Sequence, residues 1–331
     1  MSFKEKKQTP LCLALRKINK GIMEKDASSF EEIEFVRNFS FEYGVPSEIA
    51  PGVLRVIAKN PGPFTYTGSG TYIISAPDGR GSSAIIDPGP DISDHINAIV
   101  EAAGEISHIF VTHTHADHCG AARNLQKKCN AKIYGYGPHP QEISGEDAPA
   151  LEEGGDMSFK PDIELRDGDV IKGKGWEIES VWTPGHISNH LCFALKGEKI
   201  LFTGDHIMGW ATTVIIPPDG SMKEYFSSLD KVLDRDETLY LPTHGAPITK
   251  PHRFTRAVKA HRKMRDGQIL HQLGEGLETI PEIVAVMYAD IDKRLHGAAA
   301  LNVFAHLIGL CMDEKVSCNG SPALDSRYNK I

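Results

Sequence analysis

The stretch Thr112–Gly120 concentrates side chains that can bind metal ions. It contains His113, His115, Asp117 and His118 within six residues. Imidazole nitrogens and carboxylate oxygens are the usual ligands of zinc and related divalent metals in proteins. A surface cluster of this composition would gain nothing structurally from that spacing. The pattern therefore predicts a metal site.

The elements around this stretch would position its side chains. The apolar run Ile109-Phe110-Val111 directly precedes it and predicts a buried strand. If the strand stays extended through His113 and His115, both side chains project from one face, because side chains alternate with a period of two. The aspartate and the third histidine would then lie in the turn into a helix predicted over residues 120–127.

Three further polar residues lie beside glycine where later predicted strands end. They are His186 in Thr-Pro-Gly-His, Asp205 in Thr-Gly-Asp and His244 in Pro-Thr-His-Gly. Loops that follow strands commonly carry active-site groups in layered α/β domains. Together with the first cluster, they give five histidines and two aspartates, enough for two metal ions that share one carboxylate.

Short strands and helices alternate through the middle of the chain, which is typical of a layered α/β domain. Two helices are predicted at 92–103 and 223–233. Strands are predicted at 53–58, 71–75, 83–86, 131–136, 176–182, 191–195, 199–202 and 238–241, with a hairpin turning at Gly197. Residues 1–48 precede this domain as an extension, in which a helix is predicted at 28–39.

Composition is that of an ordinary globular protein. The 331 residues are 40% hydrophobic and 24% charged, and the net charge of −8 argues against wholesale attraction to nucleic acid or membranes. Six cysteines without paired spacing predict no disulfide framework and fit a reducing compartment. No apolar run reaches the length of a membrane span. We therefore expect a cytoplasmic protein that does not bind membranes, and basic residues near the N-terminus leave organellar targeting open.

The composition changes from Lys250 onward. Residues 250–265 carry seven Lys or Arg and no acidic residue on a predicted long helix. This pattern fits either phosphate binding or a solvated helix face. Helices at 279–288 and 297–312 and a terminal hairpin from Lys315 complete a small helical domain of winged-helix type. The predicted domains are thus 1–48, 49–249 and 250–331.

Four motifs in a fixed order carry a resemblance to a known family. HxHxDH at 113–118, PGH at 184–186, GD at 204–205 and THG at 243–245 closely resemble the metallo-β-lactamase superfamily, over roughly residues 50–250. The resemblance implies an α/β (α+β) fold, the αββα metallo-β-lactamase sandwich, with metals at one edge. The small C-terminal helical, winged-helix-like domain would follow it.

The resemblance also implies roles for individual residues. The first metal would be held by His113, His115 and His186, and the second by Asp117, His118 and His244, with Asp205 bridging the two. Asp87 matches the aspartate that orients the ligand loop in this family. His190 is predicted to support the site through a hydrogen bond, and His206 to face substrate. Other histidines are predicted to be surface or packing residues: His95, His108, His139, His252, His271, His296 and His306.

The implied cofactors are two divalent metal ions. Zinc is expected, with manganese and iron as alternatives. Two such ions bring four positive charges, so with Asp117, Asp205 and a bridging hydroxide the centre carries a net charge of +1, which suits an anionic transition state. The metals would also make a nucleophile available at neutral pH. Hydrolysis is therefore the predicted reaction class, with Asp117 as the catalytic residue that orients the nucleophile or relays a proton.

The substrate is predicted from a narrower resemblance. The loop starting at Asn60, the region from Gly204 to Thr213 and the His261-Arg262 and Gln268-Ile-Leu motifs are similar to the β-lactamase-like protein 2 group. That group implies hydrolysis of a phosphodiester in single-stranded RNA, and the family allows a homodimer. One alternative is a glyoxalase II-type enzyme that acts on a small-molecule ester or thioester. Another is a non-catalytic, metal-stabilised nucleic-acid-binding protein.

Overall fold

The protein was analysed as a computed structural model that describes residues 32–76, 81–140, 154–290 and 292–331. The chain forms two compact units, one of Ile33–Lys259 and one that contains Ala260–Ile331. Within the described residues, no helix combines the length and the apolar character needed to cross a membrane.

The larger unit contains a sheet of seven strands in sequence order. The first four strands pair antiparallel and the last four pair parallel, so β4 takes part in both patterns. The strands are β1 (Ser47–Ala50), β2 (Val53–Ile57), β3 (Gly70–Ile74), β4 (Ser83–Ile86), β5 (Ile106–Phe110), β6 (Lys132–Gly135) and β7 (Ile163–Glu164).

A second sheet of five strands has the order β12-β11-β10-β9-β8. All its neighbours are antiparallel except β11 and β12, which are parallel. The strands are β8 (Val170–Lys172), β9 (Glu177–Trp182), β10 (Leu191–Leu195), β11 (Ile200–Gly204) and β12 (Leu239–Pro242). The hairpin predicted at Gly197 is the connection between β10 and β11.

The main core lies between the two sheets, where Tyr72 and Phe110 of the first pack in one cluster with Phe193 and Phe202 of the second. The opposite face of the first sheet packs against helices α1 (Ser93–Ala103) and α3 (Ala122–Cys129). Helix α4 (Met222–Leu233) is attached to the second sheet, because Tyr240 Oη of β12 donates a hydrogen bond to the carbonyl of Val232 in the helix. These layers confirm the predicted αββα sandwich.

The topology brings the carboxyl ends of several strands to one edge. Strands β4 and β5 run parallel, as do β11 and β12, and β9 runs in the same direction as β11 because both are antiparallel to β10. Asp87 follows β4, the 112–119 segment follows β5, and the segments with His186, Asp205 and His244 follow β9, β11 and β12. Parallel strands therefore place these loops side by side.

Two local predictions were wrong. Strand β5 ends at Phe110, and residues 111–115 form irregular backbone before the short helix α2 (Ala116–Cys119), so no strand carries His113 and His115. In the predicted 28–39 helix, residues 28–31 lie outside the described residues, and residues 32–39 are not helical. Their burial alternates residue by residue, which is the pattern of an extended segment.

The C-terminal elements follow the predicted order. Helix α5 (Pro251–Gly274) is longer than predicted. The smaller unit then continues with α6 (Ile280–Met287), a 3-10 turn (Lys293–Leu295), α7 (His296–Met312) and the hairpin β13–β14 (Val316–Cys318 with Tyr328–Lys330). Ile283, Val303 and Leu307 are among its core residues. Helix α6 begins with a capping contact, because Glu282 Oε2 accepts the backbone N–H of Thr279 at 2.9 Å.

Candidate metal centre

All seven residues predicted as metal ligands lie together at the shared edge of the two sheets. Their potential ligand atoms form three overlapping groups, and within each group these atoms lie within 4.8 Å of one another. The groups are His113, His115 and His186; His113, His118 and Asp205; and Asp117, His118 and His244. The cluster can bind metal ions, because nitrogen and oxygen donors of this kind converge at one buried point.

Three ring nitrogens meet in the first group. The Nδ1 atom of His115 lies 2.9 Å from Nε2 of His113 and 3.2 Å from Nε2 of His186. Nitrogen atoms this close repel each other through their lone pairs unless a proton or a cation lies between them. A divalent cation would satisfy all three at once.

The group of Asp117, His118 and His244 combines a carboxylate with imidazoles. His244 Nε2 lies 3.1 Å from Asp117 Oδ2, and His118 Nε2 lies 3.5 Å from the same oxygen. Asp205 connects this group to the first. Its Oδ1 lies 3.5 Å from Nε2 of both His118 and His244, and its Oδ2 lies 4.0 Å from Nε2 of His186.

The outward ring nitrogens of several histidines are held by hydrogen bonds. Nδ1 of His186 donates to the carbonyl of Val214 at 2.6 Å, and Nδ1 of His244 donates to the carbonyl of Gly68 at 3.3 Å. His118 Nδ1 lies 2.8 Å from Asp87 Oδ2. A proton fixed on Nδ1 leaves the lone pair on Nε2, which is the nitrogen that points into the cluster.

Asp87 joins three loops of the site. Its Oδ1 accepts the backbone N–H of Thr112 at 2.8 Å, and its Oδ2 accepts from His118 and from the hydroxyls of Thr112 and Thr243, each also at 2.8 Å. The residue is 1% exposed and has a positive φ of 50°, a conformation that is uncommon for any residue but glycine. These contacts fix the ligand loop relative to the loop that carries His244.

The electrostatics differ between the all-histidine group and the group of Asp117, His118 and His244. Burial, together with neighbouring His186, lowers the pKa of His115 to about 3, so this ring is neutral and its lone pair is available. Burial opposes charge on His118, but the carboxylates of Asp117 and Asp205 outweigh it and raise the pKa of this histidine well above its usual value. A cation that enters there would displace protons, as is usual for metal sites.

Two buried atoms of the cluster have no hydrogen-bond partner among the described residues. They are Nε2 of His118 and Oδ1 of Asp205, whose side chains are almost completely buried. An unsatisfied buried acceptor costs about 1–3 kcal/mol. The two atoms lie 3.5 Å from each other. A cation bound between them would satisfy both, so the residues present fit a metal ion.

Several supporting residues were not found from the sequence. Ser69 Oγ donates to Asp117 Oδ2 at 2.9 Å. In a second network, Asn189 Nδ2 donates to Thr114 Oγ1 at 2.9 Å, and this oxygen lies 2.7 Å from His139 Nδ1. His139 had been predicted as an ordinary surface or packing residue. These contacts join residues far apart in the chain, and no local sequence signal marks them.

The outcomes for His190 and His206 differ. His190 supports the site as predicted, because its Nε2 accepts the backbone N–H of Asp205 at 3.2 Å and its Nδ1 lies 2.9 Å from Thr183 Oγ1. His206 is 0% exposed, and its ring packs against Tyr225 with the centroids 5.1 Å apart. The prediction that His206 faces substrate was therefore wrong, because α4 covers this side of the loop.

Comparison with known families gives two matches along the chain. The profile described as the metallo-beta-lactamase superfamily matches residues 68–244, and the beta-lactamase associated winged helix domain matches residues 279–325. The first match contains all seven residues of the cluster. The second confirms the predicted C-terminal winged-helix domain.

Individual relatives cover most of the chain. A beta-lactamase-like protein 2 homolog from Caenorhabditis elegans is 30% identical over 275 residues, which is 80% of this chain and 86% of the relative. An atrochrysone carboxyl ACP thioesterase from a Cryptosporiopsis species is 29% identical over 263 residues, 73% of this chain and 74% of the relative. A solved beta-lactamase domain protein from Burkholderia ambifaria has a TM-score of 0.73 at 20% identity and covers 90% of this chain and 97% of its own.

Proposed function

The chain belongs to the metallo-β-lactamase superfamily of hydrolases, and from that premise we propose that it hydrolyses acyl thioesters at a dinuclear metal centre. The position of Asp205 carries the dinuclear part of this proposal. Its two oxygens face different groups, with Oδ1 toward His118 and His244 and Oδ2 toward His186. A carboxylate between two ligand groups is the arrangement that lets one residue serve two ions.

Each of the seven side chains has one place in this proposal. His113, His115 and His186 would hold one ion, Asp117, His118 and His244 the other, and Asp205 would bind both. The mixed nitrogen and oxygen donors suit zinc best, with manganese and iron as alternatives. When bound, such ions would polarise the substrate carbonyl and lower the pKa of a water molecule to about 7.

Asp117 is the catalytic residue of the proposal. Burial acts to raise the pKa of this carboxyl, but His118 and His244 outweigh it and hold the pKa below the usual range. Ser69 fixes one oxygen by its hydrogen bond. An ionised, positioned carboxylate can orient an attacking water by accepting its hydrogen bond, and it is not a source of protons at neutral pH.

The ionised state of the site favours a good leaving group. A thiolate, whose conjugate acid has a pKa of about 8.5, leaves without a proton donor far more readily than an alkoxide does. Asp117 and Asp205 both have lowered pKa values, so neither serves as an acid for an alkoxide. The relative described as an ACP thioesterase supports the same substrate class.

Single-stranded RNA is the second candidate. The 30% identical beta-lactamase-like protein 2 homolog favours it, since the resemblance to that group implies an endoribonuclease. The basic helix gives it less support than its composition suggests. Arg262 and Arg265 are 2% and 3% exposed. Arg253 is paired with Glu34 and Lys259 with Asp230, so four of the seven cations do not present a free charge to solvent.

Hydrolysis assays on the full, zinc-supplemented chain test the proposal. We expect release of thiol from an N-acetylcysteamine thioester, no cleavage of a single-stranded RNA, and a loss of at least about 100-fold in thioester kcat for Asp117→Asn. Asp91→Asn is the matched control, because Asp91 is exposed and its carboxylate accepts hydrogen bonds from Asn124, outside the metal cluster. Cleavage of RNA alone would replace the thioester proposal with the second candidate.

A further inference from the structure

The extended segment Ile33–Phe41 is attached to the loop that follows β11. Its backbone is attached at Val36, whose N–H donates to the carbonyl of Gly209 at 2.9 Å. The ring of Phe35 packs edge-on against Phe254 with the centroids 5.8 Å apart. Gly209 follows Asp205 by four residues, so this attachment places the segment beside the loop that carries the connecting carboxylate.

A cavity of about 440 Å³ lies between this segment and the loop before β3. Its volume is within the range of small-molecule sites, roughly 300–1,000 Å³. Five consecutive residues of the extended segment form one wall, and one residue of the loop completes the lining: Arg37, Asn38, Phe39, Ser40, Phe41 and Thr67.

Thr67 connects the cavity to the metal centre. The next residue, Gly68, accepts a hydrogen bond from His244, and the one after it, Ser69, donates to Asp117. Consecutive Cα atoms are about 3.8 Å apart, so the Cα of Thr67 lies within about 8 Å of that of Ser69. One lining residue of the cavity is therefore two positions from the serine that hydrogen-bonds to the catalytic carboxylate.

The wall formed by the segment is braced from behind. The guanidinium of Arg55 lies 5.0 Å from the centroid of the Phe39 ring, and its Nη1 donates to the carbonyl of Gly245 at 2.8 Å. Arg55 is 2% exposed. On the other side, Tyr66 donates to the carbonyl of Arg37 and stacks on Trp210 at 4.6 Å. Such contacts make the wall a fixed surface.

The lining has a definite chemical character. Phe39 and Phe41 offer two aromatic rings, 5.1 Å apart and tilted by 32°, and Arg37 offers a positive charge. None of the six lining residues is acidic. Within the described part of the chain, no carboxylate forms an ion pair with Arg37. Aromatic rings bind planar groups by stacking, and a guanidinium binds carboxylates in a two-pronged geometry.

We propose that this cavity is the acyl-binding pocket and that it selects an aromatic acyl group bearing an anionic substituent. The rings of Phe39 and Phe41 would contact the aryl plane, and Arg37 would bind the anion. This inference rests on the proposed thioesterase function and deepens it. The matched family profile begins at residue 68, so the wall made by residues 37–41 is a feature of this chain outside that profile.

A nucleotide is the competing occupant, because a ring and a phosphate have similar chemistry. The lining favours the acyl group. RNA grooves contact successive phosphates with several cations, whereas this cavity has a single guanidinium among its six lining residues.

The test compares three thioesters of N-acetylcysteamine on the zinc-loaded full chain: 3-carboxybenzoyl, benzoyl and hexanoyl. We expect both aryl substrates to exceed hexanoyl in kcat/KM. Arg37→Gln should lower kcat/KM for 3-carboxybenzoyl by about tenfold or more and change the other two by less than about twofold. Phe41→Leu should reduce the preference for aryl over hexanoyl. Arg256→Gln, which removes a guanidinium from an exposed position of α5, should change none of the three.

Binding of isophthalate and of AMP, measured by calorimetry, separates failure of the pocket from failure of the function. If no thioester is hydrolysed but isophthalate binds and Arg37→Gln weakens it about tenfold, the pocket is supported and the thioesterase proposal fails. If thioesters are hydrolysed without an aryl preference or an effect of Arg37→Gln, the pocket is overturned and the thioesterase stands. Arg37-dependent binding of AMP without binding of isophthalate also overturns the acyl assignment.

Discussion

Replacing Asp87 by asparagine tests whether one buried carboxylate holds the metal loops in place. The substitution keeps the shape of the side chain and removes its charge. In the structure the carboxylate accepts four hydrogen bonds, from the backbone and hydroxyl of Thr112, from Thr243 and from His118. An amide has one oxygen and one NH2 group, so it cannot accept all four.

Both orientations of the amide have a cost. If the NH2 group replaces Oδ1, it faces the backbone N–H of Thr112 and leaves that donor unsatisfied. If it replaces Oδ2, the threonine hydroxyls can rotate to accept, but His118 must present an unprotonated Nδ1. The proton of His118 then moves to Nε2, the nitrogen proposed to bind metal. One unsatisfied buried donor costs about 1–3 kcal/mol, and loss of charge-assisted bonds brings the expected loss to roughly 2–4 kcal/mol.

Two measurements check this prediction. Urea unfolding of the metal-free chain should give the stated loss in the free energy of unfolding, and a chelator competition should show one of two metal ions bound about 10–100-fold more weakly. The exposed Asp91→Asn variant is the control and should match the wild type in both. An Asp87→Asn variant with unchanged unfolding free energy and unchanged affinity for both ions would refute the reasoning.

Two further substitutions test the loops and the core. Gly185→Ala should weaken metal binding at least about tenfold, because Gly185 has φ +142° and a Cβ there would lie 2.5 Å from the Cα of Tyr225, displacing His186. Gly137→Ala is the control, since a Cβ at that position meets no atom within 4 Å. Equal metal affinities of the Gly185→Ala variant and the wild type in chelator competition would contradict the prediction. His95 is buried with a pKa lowered to about 4 by burial, so it stays neutral in the folded chain while the unfolded chain takes up a proton near pH 6.5. His95 should therefore lower the free energy of unfolding by about 3 kcal/mol as the pH drops from 6.5 to 4. In urea titrations, His95→Gln should remove this part of the pH dependence. A variant with the same pH dependence as the wild type would show that His95 does not cause it.

Local patterns were sufficient to predict a layered α/β domain and the set of residues that meets in the metal cluster, and the resemblance to the metallo-β-lactamase superfamily implied the sandwich. Apolar runs that alternate with helical periods place the strands, and motifs directly after strands end at one edge when those strands run in the same direction. That is why His186, Asp205 and His244 could be assigned to the same site as residues 113–118, although the chain separates them by up to 131 positions, the interval between 113 and 244.

The contacts that stabilise the cluster could not be predicted in the same way. Thr243 reaches Asp87 across 156 positions and Ser69 reaches Asp117 across 48. Serine and threonine are common in loops, and only the packing of those loops selects which hydroxyl meets which carboxylate. The same limit applies to Asn189, which contacts Thr114 across 75 positions.

The segment at 33–41 is a different case, because its sequence contains a period of two that predicts an extended chain, whereas a helix was predicted there. Ile33, Phe35, Arg37, Phe39 and Phe41 alternate with more polar or exposed neighbours, and in the structure these five are half-buried while residues 34, 36, 38 and 40 are exposed. A period of two indicates an extended chain.

A zinc titration of the metal-stripped full chain, followed by thioester hydrolysis, tests the dinuclear hydrolase most directly. If Asp205 serves two ions, activity should rise with added zinc and reach its plateau at two equivalents per chain. A plateau at one equivalent would contradict the dinuclear centre. Absence of thioester hydrolysis at every zinc level, with zinc bound, would contradict the proposed reaction.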